Sequence, residues 1–226
     1  MLPRLICLAA LLWTAALCQA PHPIPGGYAL PNGWRITPVG KSIPTEDLIL
    51  NITASKDGKV IIAQHGRFNP HGLVVIDAAT EQAVQRISLK SAWLGLAWSS
   101  DGSRLFVSGG NASGVRQPTV APIYVFNYAN GRLSEQPVAE FNDVLPAAQI
   151  WWSGLAMHPT KNLLYAANRG ADPMPGHVTI FDTTTGKVAG KIAVDVSPYD
   201  LQFSDDGNTL FVSNWGSDNI GVIDVA

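Results

Sequence analysis

The chain has 226 residues, 46% hydrophobic and 14% charged, with a formal net charge of −2. That charged fraction falls well under the roughly 25% of ordinary soluble domains, and no basic block occurs, which excludes a dedicated nucleic-acid binder, a disordered chain and a long exposed helix. With 21 Gly and 16 Pro the composition is turn-rich and favours an all-β fold.

Residues 1–20 read as a secretory signal peptide. Arg4 supplies a positive start, Leu5 to Leu17 carries no charge, and small residues follow at Ala15, Ala16, Cys18 and Ala20. The apolar run is short for a membrane span, which needs about 20 residues. Cleavage is expected near residues 16–20, giving a secreted or periplasmic product with no membrane attachment. Both cysteines, Cys7 and Cys18, fall in this segment, so no disulfide within the mature chain is expected. Residues 21–46 form a closing segment, with a hairpin predicted over Tyr28 to Ile43 around Pro31-Asn32-Gly33.

The remainder, 47–226, is a repeat. Four cores begin at Ile61, Phe106, Tyr165 and Phe211, spaced 45, 59 and 46 residues apart. Each follows a tight turn: Asp57-Gly58, Asp101-Gly102, Lys161-Asn162 and Asp206-Gly207. Each unit divides into strands a, b, c and d, and a four-strand repeat of about 40–45 residues is the arithmetic of a propeller blade. The blades are expected at 47–93, 94–150, 151–198 and 199–226. The last is incomplete, ending after strand c. The fold class predicted is therefore all-β: a partial, open, about four-bladed β-propeller of four-stranded antiparallel blades, a fragment of a seven-bladed ring.

Phe211-Val212-Ser213-Asn214 with Asn219 to Asp224, and Tyr165-Ala166-Ala167-Asn168 with Val178 to Asp182, resemble the YVTN-type repeats of YncE-like β-propellers. The first two repeats depart from that pattern, with Gln64 and Gly109 read at the Asn position. The opening segment LPNGWRITPVGKSIPTEDLILN, with the Trp93 and Trp151-Trp152 segments, resembles secreted proteins that join such a propeller to an alkaline-phosphatase-like phosphoesterase domain. That resemblance implies seven blades and further chain beyond residue 226.

In the strand order a-b-c-d, the b–c and d–a loops emerge on one face. They carry His65, Arg67, Asn69 and His71, then Asn111 and Arg116, then Asn168, Arg169, Asp172 and His177, then Trp215. The d–a loops add Trp93, Trp151, Trp152 and Tyr199. Aromatic and Arg side chains gathered at a rim suit recognition, because they combine area with directed hydrogen bonds; the tryptophans could equally wedge between blades as core. No metal site is expected: His65, His71 and His177 lack carboxylate or cysteine partners at ligand spacing. Three functions follow. The first is a non-catalytic module binding a small ligand or protein, with no cofactor. The second is the propeller part of a metal-dependent phosphoesterase. The third is a lactonase-like hydrolase, which needs acid or His groups converging at the channel mouth, for which Asp200 and His158 are the strand-a candidates.

Overall fold

The computed structural model describes residues 20–37, 40–45, 47–66, 71–110, 121–145, 150–170 and 173–226. The signal peptide lies outside the described residues. Among the described residues no helix is long and apolar enough to cross a membrane. The chain divides into two units, Met1–Ile43 and Pro44–Ala226.

In the first unit, strands β1 (His22–Ile24), β2 (Gly27–Ala29) and β3 (Arg35–Ile36) make a three-stranded sheet in that order. The hairpin expected around Pro31-Asn32-Gly33 is present as the β2–β3 connection. Leu30 donates its amide to the Trp34 carbonyl, and the Asn32 side chain accepts from the Trp34 amide at 3.1 Å.

The second unit consists of four antiparallel sheets, one per repeat. Blade I is β4 (Ile49–Ala54), β5 (Val60–His65), β6 (Gly72–Asp77) and β7 (Gln82–Ser88). Blade II is β8 (Leu96–Trp98), β9 (Arg104–Ser108) and β10 (Ile123–Ala129); its outer position is shared by β11 (Arg132–Leu133) and β12 (Ala139–Phe141), both paired with β10. Blade III is β13 (Trp152–Met157), β14 (Leu163–Asn168), β15 (Pro175–Asp182) and β16 (Val188–Val196), and blade IV is β17 (Pro198–Phe203), β18 (Thr209–Asn214) and β19 (Asn219–Asp224). The sequence thus folds as an all-β, open set of propeller blades.

The a–b turns explain the repeat. Ser55, Ser99 and Ser204 each donate a hydroxyl to the Asp two residues on, at 2.6 Å, and accept the amide five residues on, from Val60, Arg104 and Thr209. The following Gly58, Gly102 and Gly207 all have φ near +70° (69°, 72° and 74°), a backbone that other residues adopt at a cost. These hydrogen bonds, the Ser55 hydroxyl foremost, hold the Asp57 carboxyl down to about 2.

These braces also correct the alignment of blade I. Counting from the brace Ser, Ile62 and not Ile61 is the counterpart of Phe106, Tyr165 and Phe211, so His65 rather than Gln64 stands where blades III and IV have Asn168 and Asn214. The strand register agrees: His65 pairs with Gly72 as Asn168 pairs with His177 and Asn214 with Asn219.

Packing between blades is apolar. Ile62, Leu73 and Val75 of blade I meet Leu105, Val107 and Tyr124 of blade II. Phe106, Ile123 and Val125 of blade II meet Trp152, Leu164 and Phe181 of blade III. Tyr165, Ala167 and Val178 of blade III meet Leu201, Leu210 and Val212 of blade IV. In blade IV, Phe211 and Val222 repeat the b–c pair made by Tyr165 and Ile180, and Ile220 repeats Val178. Here those side chains are exposed, Ile220 at 66% and Val222 at 67%.

Along the inner strands the blades approach closely. A Cβ on Gly154 would lie 2.7 Å from the Asp200 Cα and 2.8 Å from the Tyr199 carbonyl oxygen, so only glycine fits without moving the neighbouring backbone. Gly154→Ala is expected to destabilise by about 1–3 kcal/mol, read as a lower urea midpoint. Gly190→Ala, whose Cβ would meet the Ile180 Cδ1 at an ordinary 3.6 Å, is the control and is expected to shift the midpoint far less.

Candidate functional site

The b–c and d–a connections share one face, and aromatic side chains from three blades line up along it. Trp93 precedes blade II and Trp151 precedes β13; their rings meet edge to face, with centroids 5.6 Å apart. Arg169, just past β14, lays its guanidinium 4.6 Å from the Trp151 ring centroid and 5.6 Å from that of Trp215. Trp215 in turn meets Tyr199 at 5.2 Å. The order along the rim is Trp93, Trp151, Arg169, Trp215, Tyr199, with the cation held between two indoles, an arrangement favourable by cation–π attraction. Arg169 also donates Nε–H to the Ser197 hydroxyl at 3.3 Å. The indole N–H groups of Trp93 and Trp151 have no acceptor among the described residues. A cleft of about 430 Å³ continues the rim, lined by Tyr199, Ser213, Asn214, Trp215, Asp218, Asn219 and Ile220.

Behind the rim runs a polar chain. The Asn168 side-chain oxygen accepts the amides of Trp151 at 2.9 Å and Gly170 at 3.0 Å, the first supplying the indole of the indole–guanidinium contact and the second following its Arg169. Its Nδ2 faces the Nε2 of His177 at 3.3 Å. Asp143, from the linker between β12 and β13, lies 3.7 Å from that Nε2 and pairs with Lys191 at 2.7 Å. It also accepts from the Thr179 hydroxyl at 3.3 Å. Burial lowers the His177 pKa below its ordinary value, and Lys191 adds to this; the Asp143 carboxylate opposes both.

The structure separates the candidates named from sequence. Trp93, Trp151, Asn168, Arg169, His177 and Trp215 come together as just described. Trp152 does not: it is 0% exposed and packs edge to face on Phe181 at 5.5 Å, because the alternation along β13 turns it into the blade II–III core. His65 is likewise buried, its Nε2 against Gly72. The His71 ring covers Gly66, and its Nδ1 accepts the Ala92 amide at 2.7 Å, so it ties the b–c loop of blade I to the next d–a loop. Arg67, Asn69, Asn111, Arg116 and Asp172 lie outside the described residues. Asn51, in a glycosylation-type triplet, is occupied in donating its side-chain amide to the Leu94 carbonyl at 2.7 Å.

Asp200 and His158 do not converge. Asp200 lies near the start of β17, at the rim end, and accepts from the Leu201 amide at 2.9 Å. His158 follows β13 at the opposite end, where Nδ1 accepts the amides of Thr160 and Lys161 at 3.2 and 3.1 Å. It stands at the position of the brace Ser in the other blades but holds the turn through amides two and three residues on instead of five, a role that sequence reading missed and the aligned turns reveal. A cavity of about 480 Å³ opens at that end between the inner strands, lined among others by Lys56, Trp98, Met157, His158, Gln202 and Asp205. Among the described residues no group of three His, Cys, Asp or Glu side chains could share a metal ion.

Antiparallel blades of three to five strands packed about a common inner wall define the class, a β-propeller. The family described as "Lactonase, 7-bladed beta-propeller" matches residues 96–226, more than half of the chain. The protein belongs to this lactonase family of seven-bladed propellers. The matched range includes both segments that carry the likeness to YVTN repeats.

Comparison with curated proteins gives no match. Among solved structures, Kuenenia stuttgartiensis hydrazine synthase is similar with a TM-score of 0.64 at 19% identity, covering 86% of this chain and 63% of that one. A Bacteroides uniformis protein assigned as a 6-phosphogluconolactonase gives 0.62 at 17%, covering 88% and 61%. The Xanthomonas campestris gluconolactonase gives 0.56 at 17%, covering 83% and 61%. At these identities the likeness is one of fold, and the chain spans about three-fifths of the length of these structures.

Proposed function

We propose that the rim is the ligand face of a lactone hydrolase and that its ligands are polyhydroxy lactones and the hydroxy acids they yield. The observation that carries this reading is the Trp151–Arg169–Trp215 stack at the b–c/d–a face of a lactonase-family chain. Flat indole faces suit the C–H face of an oxygen-rich ring, while a guanidinium pairs with a lactone carbonyl or the product carboxylate. In the reaction, water adds to the carbonyl carbon, the ring acyl C–O bond breaks, and the ring oxygen leaves as a hydroxyl. One proton is released as the acid ionises. We assign Asp200, exposed at the inner start of β17, to taking the proton from water.

The test is proton release from D-glucono-1,5-lactone, with and without chelator, against the spontaneous rate in the same buffer. Turnover that Asp200→Asn lowers by about 100-fold, within the range general-base catalysis supplies, is the expected result. A rate equal to the spontaneous one overturns it. Binding of D-gluconate without turnover would instead favour a recognition module, a reading supported by the separation of Asp200 and His158 at opposite ends of the inner strands. We further propose that Phe211, Ile220 and Val222 pack against a further blade of the ring, as their counterparts in blade III pack against blade IV.

A further inference from the structure

Blades III and IV solve one local problem with different residues. At the junction of strands b and c, Asn168 pairs with His177 in blade III, and Asn214 with Asn219 in blade IV. In blade IV the pair is two amides: Asn214 Nδ2 donates to Asn219 Oδ1 at 2.9 Å. In blade III an ionisable ring takes the acceptor's place, 3.3 Å from the Asn168 Nδ2.

That substitution has a consequence, because Asn168 has no freedom to turn over. Its Oδ1 holds two amide donors, those of Trp151 and Gly170; a flipped side chain would set its own N–H groups against both. Nδ2 must therefore point at His177, and His177 must present a lone pair at Nε2, with its proton on Nδ1. The charged groups facing the ring come from both neighbouring elements. The d–a linker brings the carboxylate of Asp143, whose side chain is only 3% exposed, and β16 brings Lys191. Thr179 of β15 completes the cluster.

We infer that His177 is a positioning residue whose protonation switches the rim: neutral, it anchors Asn168 and so the Trp151–Arg169 stack; protonated, it gives Nε2–H to Asp143 and drives Asn168 away. The inference concerns the rim's geometry and holds whichever ligand the rim takes. Protonation sets two N–H donors face to face across the Asn168–His177 contact. The retained alternative, an Nε2–H to Asp143 hydrogen bond, needs only a closing of the present 3.7 Å. The rim is thus ordered above the folded-state titration of His177, which burial and Lys191 place below 6.5, and loosened in acid. Stability follows the same sign. Between that lowered value and about 6.5 the unfolded chain binds more protons than the folded one, so stability falls as pH drops through this window.

The protein supplies its own control. His177→Asn installs the amide acceptor that blade IV uses, and so should keep the anchor while removing the titration. Tryptophan emission of the whole protein, without ligand, is followed from pH 5 to 8. The wild type is expected to show a step below pH 6.5. His177→Asn is expected to lie on the wild-type high-pH curve at every pH, and His177→Ala near the acid curve at every pH. The same step persisting in His177→Asn, or a flat wild-type profile while the His177 ring is seen by NMR to titrate, overturns the inference. Because no ligand is present, either result is independent of the lactone assay.

Discussion

Truncating Trp152 to alanine is expected to lower the melting temperature by about 6–20 °C. The indole is fully buried in the blade II–III core, against Phe181 at 5.5 Å and among Phe106, Ile123 and Leu164. Deleting a buried Trp costs about 3–5 kcal/mol, since the lost transfer energy is joined by a cavity that rigid sheets close only in part. In a chain of this size each kcal/mol corresponds to about 2–4 °C. Trp152→Phe, which keeps most of the volume, should recover more than half of the loss. Calorimetry of the two variants checks this, and a shift under 3 °C for the alanine variant would mean that the core repacks.

Arg169→Ala is expected to weaken D-gluconate binding about thirtyfold, equivalent to about 2 kcal/mol, the scale of a central anchoring residue. The guanidinium is shared by two indoles and also bonds the Ser197 hydroxyl. Its removal therefore takes away the charge and the spacer that separates Trp151 from Trp215. Arg169→Lys should rescue little, because a point-like ammonium cannot lie flat between two rings or present a planar fork. Isothermal titration at constant pH measures both. Unchanged affinity in the alanine variant would move the ligand site away from this stack.

How far the sequence could be read depends on the range of the interaction concerned. The blades were legible because their turns are local: a Ser, an Asp two residues on and a Gly form one contiguous signal, repeated three times. The one-residue slip in blade I arose from Val60-Ile61-Ile62, a β-branched run that fits either register by hydrophobicity. Only the Ser55 brace decides between the two. Blade III shows its turn at Lys161-Asn162 but lacks the Ser-Asp-Gly signal, because His158 stands at the Ser position and accepts the Thr160 and Lys161 amides through a ring nitrogen.

At the rim, residue types pointed to the right face but not to who touches whom. Trp151 and Trp152 are adjacent and identical in composition, yet Trp151, just ahead of β13, joins the rim while Trp152, the first residue of the strand, enters the core. The chain from Lys191 through Asp143 and His177 to Asn168 joins a linker and three strands, and no spacing rule announces such a set. Asp143 in particular carries no sequence signal; its role comes from the fold alone.

The turn braces bear finally on how the chain is made. Each closes with partners at most five residues apart, Ser55 to Val60 being typical. Such a loop can form within moments of emerging from the ribosome, before the strand that follows it is complete. Synthesis then delivers a series of pre-bent hairpins, and the slower search is confined to stacking each new blade on the one before. The apolar face of the newest blade is the hazard of that order, and it stays open until the next hairpin arrives to cover it.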